Sequence, residues 1–463
     1  MANAAAIARD HVGEVATDKH PKGLYVLFAT EMWERFSFYS MLAMFALYMR
    51  DTTGQGFAWS IDDTQALVSN YLMFVYASPL VGGWIADRKL GYRRAVMIGG
   101  LFFMAGHLLL SFRSLPVVYA ALTCLVVGNG FFKPNVSTMV GNLYPEGSRL
   151  KDRAYNIFYM GINIGAFVAP IVAEFVRDRF GFHPAFAVAA GGMLISVLTL
   201  ALFKRHIEGD ERGSSPLRSG AQTADVAAVS VDAPPKEVSK QDAPREGGSK
   251  QDALEAVPEG RRIFALCVIF VIVIIFWMCF HQNGSTFTYF ANNNTDWELS
   301  GIISNAINPF WIITLTFPLV WFWKWLDRKG IEPSTPMKMA LGMVLVAGAF
   351  YILAAAGKAG GDTGRVSPMW IVGAYFVISL GELLISPMGL ALVSKVAPRR
   401  VRGLMMGGWF VATAIGNKLT MIGVYWDYWL HSNFFALLGT MALATAVLLF
   451  FLLKPLKKAM PGV

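Results

Sequence analysis

Long apolar runs separated by short polar segments recur along the whole chain. Twelve of them approach or exceed about 20 residues with few charges, long enough to cross a bilayer as helices. They fall at about 23–49, 63–86, 93–112, 116–140, 154–176, 184–204, 262–290, 301–326, 337–357, 369–394, 403–425 and 433–453. In hydrocarbon a backbone must satisfy its own hydrogen bonds, so each run is expected to be helical. The expectation is an all-α membrane protein with 12 transmembrane helices arranged as two six-helix bundles.

One segment interrupts the pattern. From about Glu208 to Gly260 the chain is rich in Ser, Ala, Pro, Gly, Asp and Lys. It carries a near-repeat, Ser239-Lys240-Gln241-Asp242-Ala243 and Ser249-Lys250-Gln251-Asp252-Ala253. Such a segment has too little apolar content for a core or a span and reads as a flexible linker. The expected organisation is a cytoplasmic tail at 1–22, a bundle at 23–206, a cytoplasmic linker at 207–260, a second bundle at 261–454 and a tail at 455–463. The halves echo each other weakly: Gly83-Trp84-Ile85-Ala86-Asp87-Arg88-Lys89-Leu90-Gly91-Tyr92-Arg93-Arg94 joins spans two and three, and Asp327-Arg328-Lys329-Gly330 stands at the matching place between spans eight and nine. Two halves of this kind suggest a transporter with its ligand site at their interface.

Composition agrees with the pattern: 55% of the 463 residues are hydrophobic and 15% charged. The net charge of +9 raises the question of nucleic acid. The Lys and Arg residues, however, gather in alternate short loops after spans two, four, eight and ten, which is the positive-inside distribution. Both termini are therefore expected in the cytoplasm, although Lys358 and Arg365 lie on the other side. Met1 to His20 lacks the pattern of a cleaved signal. Cys124, Cys267 and Cys279 sit inside apolar runs with no metal or disulfide spacing. HExxH, GxSxG, paired Cys/His and P-loop motifs are lacking in the sequence, which argues against a membrane enzyme or a nucleotide-driven pump.

Charges inside the spans are costly and need a function. Glu31, Glu34 and Arg35 lie at i, i+3 and i+4 on one helical face. At about 1.5 Å per residue from Gly23, Glu31 is roughly 12 Å and Arg35 roughly 18 Å into the first span. Lys133 is deep in span four, Glu382 in span ten and His281 in span seven. The first half thus holds two acids and two bases, and the second half a carboxylate. That polarity suits a zwitterion: Arg35 and Lys133 for a carboxylate, Glu382 for an ammonium. A di- or tripeptide reaches roughly 7–11 Å, a sensible width between two bundles. A substrate carboxylate competing for Arg35 would free Glu34 to change its protonation, a route to proton coupling.

The stretch Glu31-x-x-Glu34-Arg35-Phe36-x-x-Tyr39 resembles the ExxERFxYY motif of the proton-dependent oligopeptide transporters of the major facilitator superfamily. The loop with Gly83, Asp87, Arg88, Gly91, Arg93 and Arg94 resembles the superfamily's cytoplasmic loop motif. Phe158-Tyr159-Met160-Gly161-Ile162-Asn163-Ile164-Gly165 resembles the family's second signature, and Gly381-Glu382-Leu383, Ser386-Pro387 and Trp409 resemble its spans ten and eleven. The resemblance runs from about Lys22 to Lys454 and implies the major facilitator fold. It also implies proton-coupled import of di- and tripeptides by alternating access, with the proton as coupling ion and no other cofactor. It implies that Glu31, Glu34 and Arg35 couple protons with Lys133. Arg35 and Lys133 would meet the peptide carboxylate, Asn163, Asn308 and Glu382 the amino end, and Tyr39, Tyr76 and Trp409 the side chains. Relatives of this family vary in cargo, so nitrate, peptide-like drugs or amino acid conjugates stand as the alternative. The expected partners are peptide, protons and the lipid bilayer, with no nucleic acid. A bacterial inner membrane is expected from the compact loops and short chain, and the expected oligomeric state is a monomer.

Three positions depart from the family pattern. Phe38 replaces the first Tyr of the YY pair. Leu42 stands where Arg is frequent on span one, and His281 where Glu is frequent on span seven. In the family those last two can form an ion pair that closes the outer gate. Losing both together strands no charge, but the gate must then be held by other groups. His281 is expected to be either a second protonation point, imidazole being the side chain that titrates nearest neutrality, or a neutral histidine hydrogen-bonded in the bundle.

Overall fold

A computed structural model describes residues 20–144, 149–207, 254, 256–298 and 300–461. The N-terminal tail before His20 and nearly all of the predicted linker lie outside the described residues. Twelve long helices follow in chain order. They are α1 (Lys22–Arg50), α2 (Ile61–Ile85), α3 (Tyr92–Leu109), α4 (Leu115–Asn142), α5 (Arg149–Phe180) and α6 (Phe182–Leu202), then α7 (Glu259–Phe280), α8 (Ile307–Arg328), α9 (Thr335–Ala359), α10 (Met369–Val396), α11 (Arg402–Leu419) and α12 (His431–Ala459). Among the described residues nine are apolar and long enough to cross a membrane by length and composition. The other three are α1, α3 and α11, and α1 carries the buried charges.

Local signals explain the helix starts. Ser60 accepts from the Asp63 N–H at 3.1 Å and caps α2. Proline stands in the first turn of α4 and of α9, where the missing N–H costs nothing. Three spans are less regular than the apolar runs suggest, and span eight opens with a 3-10 turn, Gly301–Ala306. α7 breaks at a 3-10 turn, His281–Gly284, and resumes as a short helix, Thr286–Asn293. α11 passes at Thr420 into a 3-10 segment that runs to Asp427. The two breaks meet: Gln282 Nε2 donates to Thr420 O at 3.0 Å, which satisfies groups freed by the broken helices.

The helices sort into two groups. In the first, α1 packs on α5 and α6, α2 on α4, and α3 on α4 and α6; in the second, α7 packs on α11 and α12, α9 on α10 and α12, and α8 on α10. The α2–α4 crossing is tight enough to bring backbones together: a Cβ on Gly82 would fall 1.9 Å from Gly130 O. Small residues at such crossings are the usual basis of packing where no hydrophobic gain separates protein from lipid. The closeness also sets the height of Lys133 one turn further along α4. Between the groups, α2 lies on α11 and its 3-10 extension, and α5 on α8 and the turn Gly301–Ala306. The loop after α2 turns through a π-helical segment, Ala86–Leu90, and Gly91 at φ 75° then redirects the chain into α3.

Candidate functional site

α1 supplies the charged core. Arg35 Nη2 donates to Glu34 Oε1 at 2.6 Å and Arg35 Nε donates to Glu34 Oε2. Arg35 Nε also lies 3.3 Å from Glu31 Oε1, the i,i+4 pair visible in the sequence. All three side chains are buried. One guanidinium therefore serves two carboxylates, and the other oxygen of Glu31, Oε2, is buried with no hydrogen-bond partner among the described residues. α1 is held at this depth by α5, because a Cβ on Gly165 would fall 2.3 Å from Met32 O and 3.1 Å from Arg35 Cβ. That is a physical reason for a glycine in the Gly161-Ile162-Asn163-Ile164-Gly165 string. The Arg35 guanidinium is also 5.1 Å from the ring of Phe38, the position that lacks the family's hydroxyl.

Lys133 on α4 has a different environment. Its ammonium lies 4.8 Å from the ring centre of Tyr76 on α2, a cation–π contact, and no carboxylate pairs with it among the described residues. It remains within electrostatic reach of Glu31, Glu34 and Arg35. The Tyr76 hydroxyl hydrogen-bonds His281 Nε2 across the bundle interface at 3.3 Å. Trp277, one turn earlier on α7, stacks on the imidazole with ring centres 4.9 Å apart. His281 is thus the point where α7 touches the cationic group, through one tyrosine.

The second bundle presents Glu382 on α10. Asn308 Nδ2 donates to Glu382 Oε2 at 3.0 Å and to Ser379 Oγ at 2.9 Å. No cation pairs with Glu382 among the described residues. Tyr39 stands within electrostatic reach of both Arg35 and Glu382, and Tyr76 likewise.

The remaining candidates differ in how free they are. Asn163 Nδ2 donates to Tyr159 O on its own helix at 2.9 Å. Tyr39 and Tyr76 are half-buried, while Trp409 is buried, its ring against Gly389 with no space for a Cβ between. In the loop motif the Arg88 guanidinium lies over Trp84 at 4.7 Å, and Gly83 meets the ring of Pro134. Three participants were not singled out from the sequence. Ser379 orients Asn308, and its only signal is a hydroxyl at i−3 from Glu382. Tyr159 lies inside the second signature and within reach of Glu382. Trp277 looks like an ordinary apolar residue until its stacking is seen.

A family model described as PTR2, the POT family, matches residues 93–426. Dipeptide and tripeptide permease A of Salmonella typhi is 32% identical over 88% of this chain and 84% of its own length. The same-named permease of Escherichia coli K12 is 30% identical over the same shares, and the uncharacterized transporter YclF of Bacillus subtilis is 29% identical over 96% of both chains. Among solved structures, a mutant of a peptide transporter POT in complex with alafosfalin superimposes with a TM-score of 0.82 at 30% identity. It covers 97% of this chain and 98% of that one.

Proposed function

The chain belongs to the POT family, and from that premise we propose that it is a proton-coupled symporter that imports di- and tripeptides by alternating access. It is a multi-pass membrane transporter with the major facilitator fold, and not an enzyme. The observation that carries the substrate class is the pair of complementary, unpaired poles. An ammonium, Lys133, stands in the first bundle and a carboxylate, Glu382, in the second, neither with an oppositely charged partner among the described residues, and Tyr39 and Tyr76 lie within electrostatic reach of Glu382. A zwitterion of peptide length supplies the missing partner to each. In water-excluded surroundings a charge-assisted hydrogen bond at each end is worth about 1.5–3 kcal/mol.

The coupling follows from charge balance. Glu31, Glu34 and Glu382 against Arg35 and Lys133 leave one negative charge in the site. A net-neutral peptide does not remove it, but one proton does. Its seat is Glu31: its Oε2 is the buried carboxylate oxygen without a donor, and a proton there removes an uncompensated group. Glu34 already has both oxygens on Arg35. When the peptide carboxylate draws on Arg35, Glu31 loses its remaining partner, so proton and peptide occupy the site together. His281 reports this state to α7 through Tyr76 and is the second protonation point. Asn163 and Asn308 complete the amino-end subsite with Glu382, and Trp409 with the two tyrosines bounds the side-chain pockets. The loop from Gly83 to Arg94, with Asp87, Arg88, Gly91 and Arg93, hinges the first bundle during the change of access.

Topologically, both termini and the 207–260 tether between bundles 23–206 and 261–454 lie in the cytoplasm, the membrane is a bacterial inner membrane, and the transporter acts as a monomer with no cofactor. The test is uptake of a labelled dipeptide into proteoliposomes with and without an inward proton gradient. Stimulation by the gradient and competition by unlabelled di- and tripeptides are expected. Uptake indifferent to the gradient would exclude symport, and indifference to competing peptides would exclude the cargo.

A further inference from the structure

With Leu42 and His281 at the two positions of the usual gate pair, the outer closure must rest on other groups. The bonds between the bundles at the outer end identify them. Arg50, the last residue of α1, pairs through Nη2 with Asp427 Oδ2 at 2.5 Å, and its guanidinium lies 4.9 Å from the ring of Tyr289. Beside it, Tyr428 donates to Asp62 at 2.6 Å and Lys418 Nζ to Asn70 Oδ1 at 2.6 Å. All three join the outer end of α1 or α2 to one segment, residues 418–428. On the opposite flank Glu174 of α5 accepts from the backbone N–H of Ser300 at 3.2 Å and from its hydroxyl, and holds Arg177 at 2.9 Å. A cavity of about 330 Å³ lies between the flanks, lined by Arg50, Arg177, Tyr289, Asn292 and Ser300.

One group in this closure works against it. Gln65 on α2 is wholly buried, and neither its amide nitrogen nor its oxygen has a hydrogen-bond partner among the described residues. It is pressed on Gly423 of the same 3-10 segment: a Cβ added to that glycine would fall 2.9 Å from Gln65 Cδ. A buried primary amide with no partner opposes the state that buries it. Separation of α2 from residues 420–427 would expose the amide to water.

We propose that Gln65 and the Arg50–Asp427 pair form an opposed spring and latch that set the balance between outer-closed and outer-open states. The inference rests on alternating access but not on the identity of the cargo. Arg50 and Asp427 are positioning residues: they act on access to the site and touch no substrate. Because the cavity admits water to Arg50, the latch is weak enough to break in each cycle. The closed state is then held by several modest contacts rather than by one ion pair.

The two parts predict opposite signs. Spin labels at Phe112→Cys and Thr363→Cys, both exposed near the outer ends of different bundles, report the separation by pulsed dipolar EPR in liposomes without peptide. The native Cys124, Cys267 and Cys279 are replaced first. Asp427→Asn is expected to raise the population of the longer distance about threefold or more, the size of coupling between contacting groups. Gln65→Leu is expected to lower it by a similar factor. The exchanged pair Arg50→Asp with Asp427→Arg is expected to restore the native distribution. Movement of both single variants in the same direction, no movement of either, or failure of the exchange to restore the distribution would overturn the proposal. None of these results touches the peptide reading, which uptake tests separately.

Discussion

The two sides of the candidate site solve the problem of buried charge in different ways. On α1 most of the charge is paired within the helix, since Arg35 holds both oxygens of Glu34 and one of Glu31. On α10, Glu382 has only neutral donors, with Asn308 held in turn against Ser379. A cluster that shares one guanidinium between two carboxylates can change state by one proton. A carboxylate without a charged partner among the described residues can take up a cation from outside the protein. The first arrangement suits coupling and the second suits recognition, although both are acidic side chains in apolar helices.

Substitutions can break this contrast, and the largest effect is expected at Glu31. Glu31→Gln fixes the neutral form, so gradient-driven accumulation is expected to fall to the level without a gradient, while peptide exchange across the membrane persists. Accumulation surviving in that variant would remove Glu31 as the seat of the proton. Glu34→Gln is expected to abolish accumulation as well, but to weaken binding too, because it opens the fork on Arg35. Equal behaviour of the two variants in exchange assays would mean that the carboxylates are interchangeable.

Next comes Glu382→Gln. Loss of a charge-assisted contact corresponds to about 10–100-fold weaker half-saturation for peptides with a free amino end, with N-acetylated peptides little changed. Similar losses for both classes would make Glu382 a structural residue. Lys133→Gln is expected to raise the half-saturation concentration by about tenfold, most for peptides with a free carboxylate, and amidated peptides should separate this role from a packing role. The smallest effect is expected at His281. His281→Gln retains a hydrogen-bonding side chain toward Tyr76 and is expected to flatten the pH dependence of uptake while changing the maximal rate only about two- to threefold. An unaltered pH profile would return His281 to a purely neutral contact.

Much of this molecule is legible along the chain, and the reasons are local. Span positions follow from runs of apolar residues, because hydrocarbon imposes helices on any segment that crosses it. The i,i+4 relation of Glu31 and Arg35 follows from helical geometry, and the pair forms at 3.3 Å. The strangeness of Lys133 and Glu382 follows from the cost of charge at depth. Where local propensity failed, a contact from another helix was responsible. Span seven reads as continuous through residue 290, yet the chain breaks at His281–Gly284, where Gln282 reaches across to Thr420 O.

The pairings could not be read in this way. Which carboxylate oxygen lacks a donor, that Lys133 rests on Tyr76 rather than on an acid, and that residues 418–428 clasp α1 and α2 depend on how helices distant in sequence are rotated and how closely they approach. Glycines such as Gly82, Gly165 and Gly423 set those approaches, but a glycine in a sequence does not say which helix comes near it. Sequence therefore determined the twelve helices, their charged positions and the family. Tertiary structure decided which charges pair with one another and which have no charged partner among the described residues, because hydropathy acts along one segment whereas compensation of charge acts across several.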